Sequence, residues 1–149
     1  MKISVQREDF DLGLEVRTIS RDKRIGAVAS FVGVVREVPM TLEHYPGMTE
    51  NSIRKIVEQA KARWQVMDCT VIHRYGELKP NDQIVLVAVA SAHRGDAFAA
   101  CEFITDYLKT RAPFWKKEQA ADGARWVEAR ASDDDAAERW TGEGNADAA

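Results

Sequence analysis

The densest chemistry in the sequence lies in one stretch, Tyr107–Glu118 (YLKTRAPFWKKE), where Lys109, Arg111, Lys116 and Lys117 stand among Tyr107, Phe114 and Trp115. A lysine crowded by other cations or partly buried has a lowered pKa, which makes it usable as an acid, a base or a nucleophile. Ala112 precedes Pro113, which disfavours the α region, so a helix arriving from the N-terminal side should stop there. Lys109 and Arg111 then fall on the last helical turn, where the helix dipole favours cations. Lys116 projects from the strand that follows, and Lys117 alternates to its other face. A second cationic pair, His93-Arg94, sits between a strand and the same helix, where free N–H groups and positive potential favour an anion. Arg36 closes an apolar run, FVGVVR, as a third cation at an element's end.

The elements that position these residues can be read from periodicity. Gly26–Val35 and Gln83–Ser91 are apolar and rich in Val and Ala, as buried strands are. Lys2–Gln6, Met40–Tyr45 and Cys69–Tyr75 are further strands, and Leu12–Ser20 is a short helix. Pro46-Gly47 marks a turn, with Thr49 expected as the N-cap of a helix running to about Trp64. Ile53, Ile56, Val57, Ala60 and Trp64 make its buried stripe. The second long helix is expected over Asp96–Arg111, with Ala97, Phe98, Cys101, Ile104, Thr105 and Leu108 on one face. Phe114–Glu118 and Arg125–Arg130 form a closing hairpin in which Glu118 and Arg130 could pair, and a short helix follows from Ser132 to about Trp140. From Met40 to Glu118 the order is β-α-β-β-α-β, that of a split-βαβ, ferredoxin-like fold. The expectation is an α+β chain with a mainly antiparallel sheet and two long helices: one domain over residues 1–140 and a disordered acidic tail over 141–149.

With 30% charged and 45% hydrophobic residues the composition is that of a soluble globular protein. No apolar run is long enough to span a membrane, and the N-terminus lacks the apolar region of a secretory signal. From Ser132 onward six acids face one base, so the rest of the chain carries +2 although the whole carries −3. A mildly cationic body suits a small anionic ligand better than a nucleic acid, which wants a broad basic face. Cys69 and Cys101 fall in apolar periodic segments and read as buried thiols of a reducing cytoplasm. His44 and His73 read as sheet histidines packed in place. Cys/His spacing for a metal, GxGxxG and GxxxxGK[ST] do not occur in the sequence, so neither a metal nor a nucleotide cofactor is expected.

Five strings together carry a resemblance: YLKTRAPFWKKE, SAHR at Ser91–Arg94, LEHYPGMTE at Leu42–Glu50, VIHRYGEL at Val71–Leu78 and RWVEAR at Arg125–Arg130. In this order the chain, over roughly residues 26 to 140, resembles the large, catalytic subunit of molybdopterin synthase. The resemblance implies a ferredoxin-like core with an added β sub-domain of the α/β-hammerhead type. It implies a cytoplasmic sulfurtransferase of molybdenum-cofactor biosynthesis, acting on cyclic pyranopterin monophosphate. The sulfur would come from the C-terminal thiocarboxylate of a small ubiquitin-like partner, in a heterotetramer built on a homodimer of the large subunit. It carries Lys109 and Lys116 over as catalytic residues and Arg36, His93 and Arg94 as the substrate pocket. The Arg36–Thr41 connection is shorter than the family pattern and should form a tight turn rather than a lid. The residues alone leave two alternatives: a phosphate-ester enzyme on the same fold, and a non-catalytic module that binds an acidic partner tail.

Overall fold

A computed structural model describes residues 1–120, 123–127, 136–138 and 140–141, with only the backbone for 118–120 and 123–127. The elements run β1 (Lys2–Gln6), α1 (Leu12–Ile19), β2 (Ala27–Val34), β3 (Met40–His44), α2 (Met48–Arg63), β4 (Asp68–Arg74), β5 (Gly76–Leu78), β6 (Gln83–Ser91), α3 (Arg94–Arg111), β7 (Phe114–Ala120) and β8 (Gly123–Val127). They build two four-stranded sheets, ordered β1-β4-β6-β2 and β5-β3-β7-β8. Among the described strands β1 beside β4 is the parallel pair, and the other pairings are antiparallel.

The first sheet is covered on both faces, which explains why β6 reads as an unbroken apolar run rather than an alternation. Val85, Val87 and Val89 point into a core shared with α2 and α3, where Ile53, Val57, Ala100, Phe103 and Ile104 pack. Leu86, Ala88 and Ala90 point the other way, onto Ile19 of α1 and the flanking Phe10 and Leu12. A third cluster, Val35, Met40, Leu42 and Leu78 with Tyr75 and Ile84 against it, lies where the two sheets meet.

The order β-α-β-β-α-β holds along the chain, with the short β5 inserted between β4 and β6. In space, however, β3 and β7 leave the central sheet and pair with each other. Sequence order cannot distinguish a sheet from its neighbour, because both accept the same alternation. Two local expectations are corrected. The N-cap of α2 is Gly47, at φ 82°, whose N–H donates to Glu50 Oε2 at 2.6 Å. Thr49 lies inside the first turn and is fully buried. Phe98 faces solvent, 65% exposed, while Ala100, Phe103 and Tyr107 fill the buried stripe of α3. The proposed Glu118–Arg130 pair, the start of the helix expected from Ser132, and the tail beyond Thr141 lie outside the described residues. Residues 136–138 and 140–141 are helical, and Trp140 is buried against Trp64 and Phe103.

Candidate active site

The corner between α3 and β7 is built as its proline dictates. Ala112 is extended, at φ −76° and ψ 130°, and the helix ends at Arg111. Phe114 N–H donates to Ala112 O at 2.8 Å, closing a three-residue turn around Pro113. The corner is tied to α2 from below: the Thr49 hydroxyl donates to Pro113 O at 3.2 Å and accepts from Tyr45 N–H at 3.1 Å. This fixes the start of β7 against the end of β3.

β7 pairs with β3 so that Phe114 faces His44 and Lys116 faces Leu42. Cross-strand partners share a face, so Phe114 and Lys116 stand about 7 Å apart on the inner side of the second sheet. The Phe114 ring stacks on His73 of β4, with centroids 3.8 Å apart and planes at 20°. Lys109, on the last turn of α3, lies near enough to His73 for its positive charge to act on that ring. Lys109, on the helix that leads into the corner, and Lys116, on the same strand face as Phe114, thus flank the stack of Phe114 on His73. Lys116 is half-buried and Lys109 exposed. Lys109 makes no hydrogen bond or ion pair among the described residues. Arg111 is otherwise engaged, its guanidinium 4.0 Å above the Tyr107 ring.

Arg36 belongs to this end of the molecule. Val35 N–H donates to Asp82 O at 2.9 Å, beside the first residue of β6, and the buried Val35 packs in the cluster that contains Leu42. Arg36 emerges from there, exposed, its side chain without a partner among the described residues. The turn after it is tight, with Val38 N–H donating to Arg36 O at 2.8 Å across Glu37, whose φ is 70°. A non-glycine residue held in that region stores strain, and such strain is common near binding sites.

His93 and Arg94 lie elsewhere. α3 packs back along β6, with Cys101 Sγ 3.7 Å from Val87 O at its middle. Along α3, Arg94 and Lys109 are separated by four turns, roughly 22 Å. His93 is the N-cap residue of α3, its side chain makes no capping bond, and both side chains are exposed and without a partner among the described residues. Their backbone is held by a close approach: a Cβ on Gly26 would collide with Ala92 O, while Gly26 N–H donates to Ser91 O. The same end carries a polar groove lined by Arg21, Asp22, Arg24, Gln65 and Asp68. In it Asp22 pairs with Arg24 and Asp68 with the N-terminal amine.

Neither cysteine reaches the corner in a reactive form. Cys69 and Cys101 are free and buried, and burial pushes their thiols up to about 12 and about 11. No cluster of His, Cys, Asp and Glu able to hold a metal occurs among the described residues. His73 is the packed sheet histidine that the sequence suggests, buried in β4 with Nδ1 2.9 Å from Arg74 O, but its stack on Phe114, 41 positions away, leaves no local signal.

The sequence profile of the MoaE protein family matches residues 5–111. The chain belongs to the MoaE family. It is 60% identical to the molybdopterin synthase catalytic subunit of Ralstonia nicotianae, over 93% of this chain and 83% of that one. A solved molybdopterin biosynthesis MoaE protein from Burkholderia ambifaria superposes with a TM-score of 0.83 at 56% identity, covering 94% of this chain and 98% of the other. A chain from the complex of subunits 1 and 2 of the Helicobacter pylori molybdopterin-converting factor shares the fold at 19% identity, with a TM-score of 0.72 over 86% of this chain and 91% of its own. The chain is thus an enzyme of molybdenum-cofactor biosynthesis, a molybdopterin synthase acting in sulfur transfer. No helix among the described residues is long and apolar enough to cross a membrane.

Proposed function

We propose that this MoaE-family chain transfers sulfur to cyclic pyranopterin monophosphate at the corner of Lys109 and Lys116. The donor is the C-terminal thiocarboxylate of a small ubiquitin-like carrier subunit, and the reaction takes place in the cytoplasm. The observation that carries the reading is that Lys109 and Lys116 flank one proline-set corner, beside the stack of Phe114 on His73, while both cysteines are buried with raised pKa values. Sulfur therefore arrives on another chain, and this chain supplies charge. An ammonium at the pocket neutralises the anionic tail, orients it, and stabilises the negative charge that develops on its acyl oxygen as sulfur leaves. Substrate phosphate falls to the arginines, whose planar forks match its oxygens.

Arg36 is at hand for this within the same copy. His93 and Arg94 are roughly 22 Å along α3 from Lys109, beyond the reach of any side chain. If they hold the same substrate, they come from a second copy of the chain. This reading makes the homodimer a requirement of the site, with a carrier subunit on each copy giving a heterotetramer.

The test is single-turnover conversion of the pterin with preformed thiocarboxylated carrier. Lys109→Ala should lower the rate by about 10²–10³, the usual loss for one electrostatic donor, while carrier binding and melting temperature are kept. A rate near wild type would remove Lys109 from the chemistry and leave Lys116 as the leading candidate.

A further inference from the structure

One edge of the central sheet is left open. β2 pairs with β6 along one side, and its other side meets no strand among those described. Edge strands are normally kept from pairing by charges, a proline or short length. The opposite edge, β1, has five residues and carries Lys2. β2 has eight, AVASFVGV, with neither charge nor proline. Its pairing with β6 becomes irregular only at the end, between Gly33 and Val34. α3 lies over β2 and β6, while α2 lies over β1 and beside α3. The flank of α3 turned away from α2 therefore overhangs the β2 edge. Phe103 faces α2, its ring centroid 5.4 Å from that of Trp64, and Phe98 stands about 140° around the helix from it, on the overhanging flank. Phe98 is a large apolar ring left bare to solvent. Arg94 and Lys109 fall within about 40° of Phe98, on the same flank. An unpaired edge, a bare aromatic ring and two cations assigned to the site thus share one face.

We propose that two copies of this chain join along the β2 edge and the Phe98 flank of α3, with β2 pairing antiparallel to the partner's β2 across a two-fold axis. The proposal rests on the reading that the site needs two copies, and it names the surface that brings them together. Charge selects the occupant. No charge stands between Ala27 and Val34, so an identical edge meets this one without repulsion, whereas an acidic tail finds no cation along it. A two-fold that continues the sheet keeps the helices on one side, and opposite residues then share a face. The axis must therefore pass through a residue, and the middle of β2 offers Ser30 or Phe31. Phe31 pairs with Val87, and Cys101 Sγ lies 3.7 Å from Val87 O, so the axis also crosses α3 near its middle. The two α3 helices then run antiparallel over adjoining strand pairs, about 10 Å apart, an ordinary packing distance. Each Phe98 is covered by the other helix, and the Lys109 end of one meets the Arg94 end of the other. Arg36 comes opposite the partner's Arg24 or the partner's Gly26. Gly26 sits against Ser91 O and Ala92 O, so the partner's His93 and the partner's Arg94 lie two strand spacings from Arg36, about 10 Å. Within one chain these groups stand at opposite ends of the β2–β6 pair.

Sedimentation of the full chain measures the association. The unaltered chain should be a dimer. Phe98→Asp should raise its dissociation constant about a hundredfold, because each dimer loses two buried rings, while circular dichroism shows the fold kept. Leu14→Asp, at a residue also exposed but on α1 across the sheet, should leave the dimer as it is. A second measurement reads the register. Ser30→Cys chains should be joined by a short bis-maleimide, because the two positions lie about 5 to 8 Å apart, and Leu14→Cys chains should not. Both native cysteines are buried and stay out of this reaction. An unchanged dissociation constant in Phe98→Asp, or no cross-link in Ser30→Cys, overturns the proposal. Should Ser30→Cys not fold, Phe98→Asp alone decides. If this surface fails while mixed Lys109→Ala and Arg94→Ala chains still recover activity, the two copies share the site through another face. If the unaltered chain stays monomeric during turnover, the two-copy reading itself has failed, and this proposal with it.

Discussion

Thr49 shows how a single hydroxyl can govern a distant lysine. It is fully buried, accepts from Tyr45 N–H and donates to Pro113 O, joining the end of β3, the first turn of α2 and the corner that launches β7. Thr49→Val keeps the volume and strands both backbone partners. Leaving buried polar groups unpaired costs about 1–3 kcal/mol, so the urea midpoint should fall accordingly. Sulfur transfer should fall as well, because Lys116 is three residues beyond Pro113. A midpoint equal to wild type would mean that water replaces the hydroxyl. The sequence presents Thr49 as an N-cap, since Thr followed by Glu looks like one. Gly47 takes that place because the chain must turn through φ 82° to leave β3, which glycine does without steric cost. The positions of Lys109 at a helix end and Arg36 at a strand end were legible for the opposite reason: a proline boundary and a strand end are local signals.

At the scale of elements, periodicity found the helices and most strands to within a residue or two. It missed which face of α3 is buried: Phe98 sits about 100° around the helix from Ala97 and falls outside the stripe. It also could not assign β3 and β7 to a second sheet, and with that it lost the contact between β7 and β4. That contact is Phe114 on His73, and it has a pH signature. The folded pKa of His73, about 4, lies below the ordinary 6.5. The unfolded chain therefore binds the extra proton first. The stability held by the neutral ring is fully present above pH 6.5 and is lost as pH falls from there toward 4. The span of the shift corresponds to on the order of 3 kcal/mol. Unfolding free energy measured between pH 7 and pH 4 should fall on that scale for the wild type, on top of any contribution from carboxylates. The fall should be smaller in His73→Phe. Identical pH curves would show that His73 titrates normally.

At the scale of the whole molecule the central question is the distance between the two cationic groups. The sequence shows His93-Arg94 and Lys109-Lys116 as neighbours of one helix, which invites placing them in one pocket. The structure puts them at opposite ends of α3, because the helix runs its full length between them. Two copies related by a two-fold axis can restore the pocket, since an isologous interface brings residue i of one copy to residue j of the other, twice. This makes a prediction that no single-chain site shares. Lys109→Ala and Arg94→Ala homodimers should each be nearly inactive. When the two variants are mixed, unfolded and refolded together, half the dimers are heterodimers. In each of these, one site joins the intact Lys109 of one copy to the intact Arg94 of the other, and the second site has lost both. Activity should return to about a quarter of the wild-type value for random assortment, with the substrate affinity of the unaltered enzyme. If both residues served a site within one chain, every chain in the mixture would remain defective and no activity would return.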